Sequence, residues 1–343
     1  MRELFEAIDN CEAGSVNKVL TVLDGEYLGE KALVSDGKLI WESNEEGFFS
    51  KYEEAVCQMQ DSGVVTIGDS RVFCDTLGQE KQLVICGGGH VSMPVIKIGI
   101  MMGWEVTVLE DRPKFADNAR RAGASHVICE PFEEGLGKVP GSSDTYFVIV
   151  TRGHRYDQVC LEKIAEKEHA YIGMIGSRRR TTLVKKLLEE QGTDKAVLDA
   201  VYTPIGLDIG AETPEEIGVA IMAEIIEVKN KKKRTFGYSK EMVRAIMDTE
   251  KYPGRKVMTT IITRKGSAPQ GIGVKMLVLA DGNCIGTIGG GCMESAVLQK
   301  ALLLLRSDDT QARICQADLT GNDAEDEGMV CGGMVDVLLE VID

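Results

Sequence analysis

From Lys81 onward, short apolar runs alternate with helix-patterned stretches, and this alternation restricts the chain more than any other feature. Leu83-Val84-Ile85-Cys86 reads as a buried strand, followed by Gly87-Gly88-Gly89-His90 and a helix to about Met102. Residues 104–109 form a second strand, and further apolar runs lie at 125–128, 146–150 and 171–175. Buried strands separated by helices require parallel pairing with right-handed crossovers, hence an α/β, Rossmann-like sheet. Thr213-Pro214-Glu215-Glu216 opens the closing helix with a Thr N-cap, a first-turn proline and early acids. That helix ends in the basic stretch Lys229 to Arg234, which reads as a solvated helix end running into a linker.

The flanking segments lack this alternation and read as two small α+β domains. The expected division is therefore 1–80, 81–233 and 234–343. The first and last segments share a faint duplication. Residues 18–23 (KVLTVL) parallel 256–261 (KVMTTI), and 31–37 (KALVSDG) parallel 275–282 (KMLVLADG) with one residue of offset. Val72-Phe73-Cys74-Asp75 falls where Val337-Leu338-Leu339-Glu340 lies. Chance similarity of short β-rich stretches is the alternative; if the repeat is real, the first copy, which lacks the Gly-Ser-Ala-Pro, Gly-Gly-Gly-Cys and Cys-Gly-Gly of the last, retains the fold and has lost the chemistry.

The net charge of −15 excludes a broad face for nucleic-acid backbones or anionic membranes. No long apolar run or leader-like N-terminus is present, and the ten scattered cysteines lack CxxC spacing. The expectation is a cytoplasmic protein with reduced thiols.

Three groups of residues carry chemistry. Gly87 and Gly89 turn between strand and helix, with Ser92 at the third glycine position and His90 alongside. Glu110 and Asp111 follow where an acid binds a ribose hydroxyl, and Arg112 could instead favour a 2′-phosphate. In the second group, His154 and Asp157 follow the strand ending at Val150, and Gly176, Ser177 and Arg178 follow the next strand. Loops at the carboxyl ends of parallel strands line the ligand crevice, so His154 and Asp157 are candidates for proton transfer. Both also have ordinary structural readings, as does the loop acid Asp208.

The third group is Gly289-Gly290-Gly291-Cys292 at the start of a helix expected over 293–305. Consecutive glycines can turn N–H groups inward as an anion nest, and a helix N-terminus lowers the pKa of a thiol placed there. An ordinary tight turn is the alternative.

Several motifs resemble the XdhC/CoxI family, the xanthine dehydrogenase accessory factors that serve molybdenum hydroxylases. They are Gly87-Gly-Gly-His-Val91, Glu110-Asp-Arg-Pro-Lys-Phe-Ala116, Tyr171-Ile-Gly-Met-Ile-Gly-Ser-Arg178 and residues 204–216 (PIGLDIGAETPEE). Gly266-Ser-Ala-Pro269, Lys275-Met-Leu-Val278, Gly286-Thr-Ile-Gly-Gly-Gly-Cys292 and Cys331-Gly-Gly333 complete the set. The resemblance implies binding of molybdenum cofactor (molybdopterin), its protection during sulfuration, and delivery to an apo molybdenum hydroxylase. A cysteine desulfurase is a further partner that the resemblance would allow. Ser267, Lys275, the glycine loop, Cys292 and Cys331 would hold the pterin, with Cys292 and Cys331 suited as soft ligands to a metal–sulfur centre. The middle domain implies NAD or NADP. The sheet edges are compatible with a homodimer.

The chain departs from the family in domain order, since the glycine-cysteine domain comes last, and in Gln270, where a basic residue is common. Two other functions stay open: an NAD(P)-dependent oxidoreductase, and a nucleotide-responsive scaffold without catalysis.

Overall fold

A computed structural model describes residues 1–12, 15–59, 62–78, 81–231, 237–266, 270–318 and 333–343, without the side chains of 292 and 318. In chain order, the first segment runs α1 (Arg2–Asp9), β1 (Asn17–Val22), β2 (Lys31–Ser35), β3 (Lys38–Glu42), α2 (Phe48–Lys51), α3 (Glu53–Cys57), β4 (Gly63–Ile67) and β5 (Ser70–Thr76). All pairings are antiparallel, in the order β3-β2-β1-β5-β4.

The middle segment alternates strand and helix: β6 (Gln82–Cys86), α4 (Ser92–Met101), β7 (Glu105–Leu109), α5 (Pro113–Arg121), β8 (His126–Ile128), α6 (Phe132–Gly137), β9 (Thr145–Ile149), α7 (His154–Ala165), β10 (Tyr171–Met174), α8 (Arg178–Glu190), α9 (Lys195–Ala200) and α10 (Pro214–Lys231). The five strands are parallel in the order β10-β9-β6-β7-β8, so the chain changes direction across the sheet between β6 and β9. Apolar clusters cover both faces, one around Ile85, Val108 and Ile221, the other around Phe147, Leu161 and Ile172. Burial on both faces explains why these strands read as continuous apolar runs. The start of α10 is a reciprocal capping box: the Glu216 N–H donates to Thr213 Oγ1 (3.2 Å) and the Thr213 N–H donates to Glu216 Oε2 (3.0 Å).

The last segment runs α11 (Lys240–Met247), β11 (Lys256–Lys265), β12 (Lys275–Val278), β13 (Cys284–Gly286), α12 (Gly291–Leu305), β14 (Arg313–Asp318) and β15 (Met334–Ile342). Its sheet order, β13-β12-β11-β15-β14, repeats that of the first segment strand for strand. These two segments form one compact unit, Met1–Gly78 with Thr235–Asp343, and Gln79–Arg234 forms the other. The sequence division into three domains thus becomes three sheets in two units.

Strand register corrects the sequence alignment of the repeat. Val19 sits between Leu33 and Asp75, and Met258 sits between Leu277 and Glu340. Val19 therefore corresponds to Met258, where the sequence parallel places Leu20. A one-residue slip moves every side chain to the other face of a strand, so only register can decide this. Lys31 with Lys275, and Asp75 with Glu340, remain equivalent. The helices α1 and α11 belong to the repeat as well: Glu3-Leu4-Phe5-Glu6-Ala7-Ile8 matches Glu241-Met242-Val243-Arg244-Ala245-Ile246. Among the described residues, no helix is long and apolar enough to cross a membrane.

Candidate functional site

In the parallel-sheet unit, three glycines leave β6 with different tasks. Gly87 has φ +116°, and a Cβ there would lie 2.5 Å from the Val150 carbonyl oxygen; one on Gly88 would lie 2.7 Å from the Phe115 oxygen. Both glycines are therefore required by backbone packing. Gly89 has open space beside it and ordinary φ. Ser92, buried at the third position, donates its hydroxyl to the Gly87 carbonyl at 2.6 Å, which tightens the turn where a glycine would only have fitted it. Among the described residues, the N–H groups of Gly89, His90 and Val91 have no acceptor. They lie at the entry to the ten-residue α4, facing the change of direction between β6 and β9. Open amides at a helix N-terminus suit a pyrophosphate. His90 is exposed there.

The acid expected on a ribose is already engaged. Glu110, 1% exposed, accepts from the Gly88 N–H (2.7 Å), from Arg112 Nε (2.7 Å) and from Arg112 Nη2 (3.1 Å). Arg152 stands 3.7 Å from the same carboxylate and is bidentate on Asp111, with Nη2 to Oδ2 at 2.8 Å. The Arg152 contact is the main reason the Asp111 carboxyl lies below its usual value. Arg112 stacks on Phe115 and Arg152 on Tyr156. The two acids and two bases neutralise one another, which leaves no surplus cation for a 2′-phosphate. Arg152, which completes this arrangement, gives no sign of its role in the sequence, because its partner Asp111 lies 41 residues away.

His154 and Asp157 both lie in the first turn of α7, but they do not pair. Asp157 is buried and accepts from Thr151 Oγ1 at 2.6 Å, while His154 is exposed. Burial pushes the Asp157 carboxyl up to about 6, only partly opposed by the Thr151 donors. Below about pH 4 this group is protonated in folded and unfolded chains alike; between about 4 and 6 only the folded chain keeps its proton. Stability from this group is thus lost as pH rises through that window. Asp157→Asn, which keeps the Thr151 hydrogen bond, is expected to stabilise the protein by about 1–3 kcal/mol above about pH 6 and by nothing below about pH 4. Urea unfolding midpoints at about pH 4 and about pH 7.5 check this; an equal shift at both would remove the titration from the explanation.

Gly176 turns out of β10 with φ +147°, Ser177 is the N-cap of α8, and Arg178 is exposed at its first turn beside Arg179 and Arg180. None of the three guanidinium groups is ion-paired among the described residues. The 204–216 motif serves internal structure in part: the Gly206 N–H and the Tyr171 hydroxyl both donate to Glu224 on α10, at 3.0 and 2.5 Å. Asp208 is exposed in the same loop.

The glycine-cysteine loop belongs to the other unit. Gly286, Gly289, Gly290 and Gly291 all have positive φ (82°, 132°, 71° and 64°), so each position strongly favours glycine. Helix α12 begins at Gly291, two residues earlier than the sequence indicated, and carries the Cys292 backbone in its first turn. The Cys292 side chain lies outside the described residues, as do Ser267 and Cys331. The expected anion nest does form, but the chain fills it. Glu294 Oε2 accepts from the Ile288 N–H (3.0 Å), the Gly290 N–H (3.2 Å) and the Thr287 hydroxyl. Burial pushes this carboxyl up, and the Thr287, Gly290, Ile288 and Gly289 donors outweigh it and leave it below the usual range. Lys275 is likewise committed: its ammonium pairs with Asp75, donates to the Gly273 carbonyl (3.1 Å) and lies over the Tyr238 ring. It has no donor standing free for a ligand phosphate in this arrangement.

Three strand ends meet at one edge of the fold. Lys265 at the end of β11 pairs with Met334 at the start of β15, and Gly286 at the end of β13 pairs with Met276 at the start of β12. The described strand ends at Lys265, Gly286 and Met334 therefore lie at one end of the sheet.

The parallel order, glycine turn and open amides define a dinucleotide-fold domain, carried in one chain with a duplicated antiparallel α+β module. The XdhC Rossmann domain matches residues 83–225, and the XdhC and CoxI family matches residues 253–315. The chain belongs to the XdhC and CoxI family. It is 28% identical over 193 residues to a Bacillus subtilis (strain 168) protein described as a probable xanthine dehydrogenase subunit, covering 54% of this chain and 56% of that one. It is 29% identical over 164 residues to the uncharacterized protein YqeB of Escherichia coli (strain K12), covering 48% and 30%. The chain thus spans 56% and 30% of the length of these curated relatives. A crystal structure described as a xanthine dehydrogenase from Bacillus halodurans shares the fold, with a TM-score of 0.54 and 24% identity over 67% of each chain.

Proposed function

We propose that this protein is an accessory factor that binds molybdenum cofactor, assists its sulfuration and delivers it to a xanthine dehydrogenase-type hydroxylase. The carrying observation is the Gly286–Gly291 loop: four positive-φ glycines place the Cys292 backbone in the first turn of a 15-residue helix, in the region matched by the family. A thiolate there gains from the helix dipole and is a soft ligand for a metal–sulfur centre. Family membership and the Bacillus subtilis relative, described as belonging to a xanthine dehydrogenase, support the same client class. Because Glu294 occupies the nest, the loop acts as a pre-ordered mount for Cys292 rather than as a phosphate cradle. The first-turn amides of α12 are the donors left for a ligand anion.

The three open amides beside Gly89 favour a second ligand, a nicotinamide dinucleotide, in the parallel-sheet unit. The residues present fit its pyrophosphate. The self-neutralised Glu110–Asp111–Arg112–Arg152 group leaves no surplus cation for a 2′-phosphate, which weighs against NADP. Neither His154 nor Asp157 has a base partner in place, which weighs against hydride chemistry with a proton relay as the main activity.

Anaerobic purification with molybdenum analysis and pterin fluorescence tests both sites, using Cys292→Ala and Gly89→Ala. Wild-type protein should carry near-stoichiometric pterin, and Cys292→Ala should lose it. Gly89→Ala should keep its pterin and its stability, to within about 1 kcal/mol, because the site is open and φ is ordinary. Its affinity for NAD should fall roughly tenfold or more, since a methyl group would stand where the pyrophosphate approaches. Absence of pterin after reconstitution, together with NAD(P)H-dependent turnover, would replace this reading with the oxidoreductase.

A further inference from the structure

In the antiparallel unit, two buried ion pairs join the two copies of the repeat, and they are reciprocal. Lys31 on β2 meets Glu340 on β15 at 2.8 Å, and Lys275 on β12 pairs with Asp75 on β5. Register makes Lys31 the counterpart of Lys275 and Asp75 the counterpart of Glu340. Each lysine of one copy therefore binds the acid of the other, at the same position both times. All four side chains are no more than 9% exposed.

The apolar contact follows the same rule. Leu23, Phe73, Ile262 and Leu338 form one buried cluster, with Val64 and Ile314 packed on it. Phe73 corresponds to Leu338 by their pairing with Thr21 and Thr260, and Val64 corresponds to Ile314 by their pairing with Phe73 and Leu338. Leu23 and Ile262 each follow the matched strand positions Val22 and Ile261. Contacts in which position i meets j and j meets i are the mark of an isologous two-fold interface between identical protomers. Here both sides of that interface belong to one chain.

We infer that the N-terminal half is a built-in partner: it occupies the face through which the glycine-cysteine module would otherwise pair with a second copy of itself. The chain is then a single-chain pseudo-dimer, closed at this face, with one glycine-cysteine loop instead of two. The half that covers the face has a sealed counterpart of that loop. Between β3 and α2 it carries Asn44-Glu45-Glu46-Gly47 in place of the glycine run. The Phe48 N–H donates to Glu30 Oε2 at 2.8 Å and the Asn44 amide donates to Glu30 Oε1 at 2.9 Å, so a carboxylate closes this helix entry too. A second copy could pair through this face only by displacing the covalently tethered half, whereas the sheet edges, through which the sequence is compatible with a homodimer, are not involved in these contacts.

Charge reversal separates the two arrangements. Asp75→Lys and Lys275→Asp should each lower the thermal midpoint by roughly 10 °C, since each leaves like charges facing one another in a buried site. The two changes in one chain should recover at least half of that loss. Mixing the two single variants should recover none, because each chain contains both halves of its own pair. Any co-purification of two differently tagged wild-type copies made in one cell should run through another surface and be unaffected by Asp75→Lys. Recovery on mixing would overturn the inference. So would co-purification of tagged wild-type copies that Asp75→Lys abolishes, a readout that does not require the variants to survive alone.

Discussion

Removing the Glu294 carboxylate, as alanine, is expected to cost about 2–3 kcal/mol and to loosen the Gly286–Gly291 loop selectively. The size follows from what the carboxylate does. It accepts from two backbone amides and a hydroxyl within one turn, and charge-assisted bonds of this kind are worth more than neutral ones. Ile288 anchors the loop in the core, but the four glycines at positive φ add no side-chain packing, so Glu294 is the loop's main polar tie. Glu294→Gln keeps an acceptor oxygen and should lose about half as much. Amide hydrogen exchange at Ile288 and Gly290 should accelerate in the alanine variant while exchange in β11 stays unchanged. Pterin affinity should fall with it, because the mount for Cys292 is no longer pre-ordered. Tighter binding of anions by Glu294→Ala would mean instead that the carboxylate competes with the ligand, and the mount would have to be abandoned.

Glu110→Ala should be more damaging to the parallel-sheet unit, by about 3–4 kcal/mol. The carboxylate is almost fully enclosed and holds the Gly88 amide and the Arg112 guanidinium at once. Its loss would strand an amide inside the glycine turn and leave Arg112 and Arg152 facing Asp111 alone. Arg112 is about one-third exposed, so water softens the effect relative to a fully buried pair. Glu110→Gln should cost less, about 1–2 kcal/mol, since the amide oxygen can still accept from Gly88. Urea unfolding measures both. A negligible change in Glu110→Ala would show that the acid is free to serve a ligand, which is the role its position after β7 indicates in the sequence.

These two residues illustrate what a sequence shows and what it hides. Both anion-binding turns are legible as glycine runs between a strand and a helix, because steric freedom at glycine is a local property. In each case a carboxylate of the same chain already accepts from the turn, from the Gly88 amide in one and from the Ile288 and Gly290 amides in the other. Glu294 lies just past the glycine-cysteine motif and Glu110 sits where a ribose acid is expected, yet neither position shows by its spacing that the acid turns back onto its own loop. Spacing alone cannot tell whether a side chain turns toward its own loop or toward a ligand. The Thr287–Glu294 combination, a hydroxyl before the glycines and an acid in the first helical turn, resembles a capping box and is the one available signal.

The repeat shows the same division. Its existence can be read from Lys31 with Lys275 and Asp75 with Glu340, although the sequence parallel slips by one residue on β1. The match of α1 with α11 escapes a comparison of strands because both are helices, although three of the six aligned residues are identical.

By itself, the sequence determined the parallel-sheet domain, the family, the glycine turns and the presence of two related flanking segments. Each of these is written in local periodicity and in residue types that only certain backbones accept. Only the tertiary structure decided that the flanking segments fold as one unit, that reciprocal buried ion pairs join them, and that Lys275 is spent there. It also decided that Glu294 fills the glycine-cysteine turn, and that Glu110 is held by the Gly88 amide and Arg112 while the next three amides stay open. Those outcomes depend on contacts between residues as much as 200 or more positions apart and on which way a carboxylate faces, and neither leaves a periodic trace along the chain.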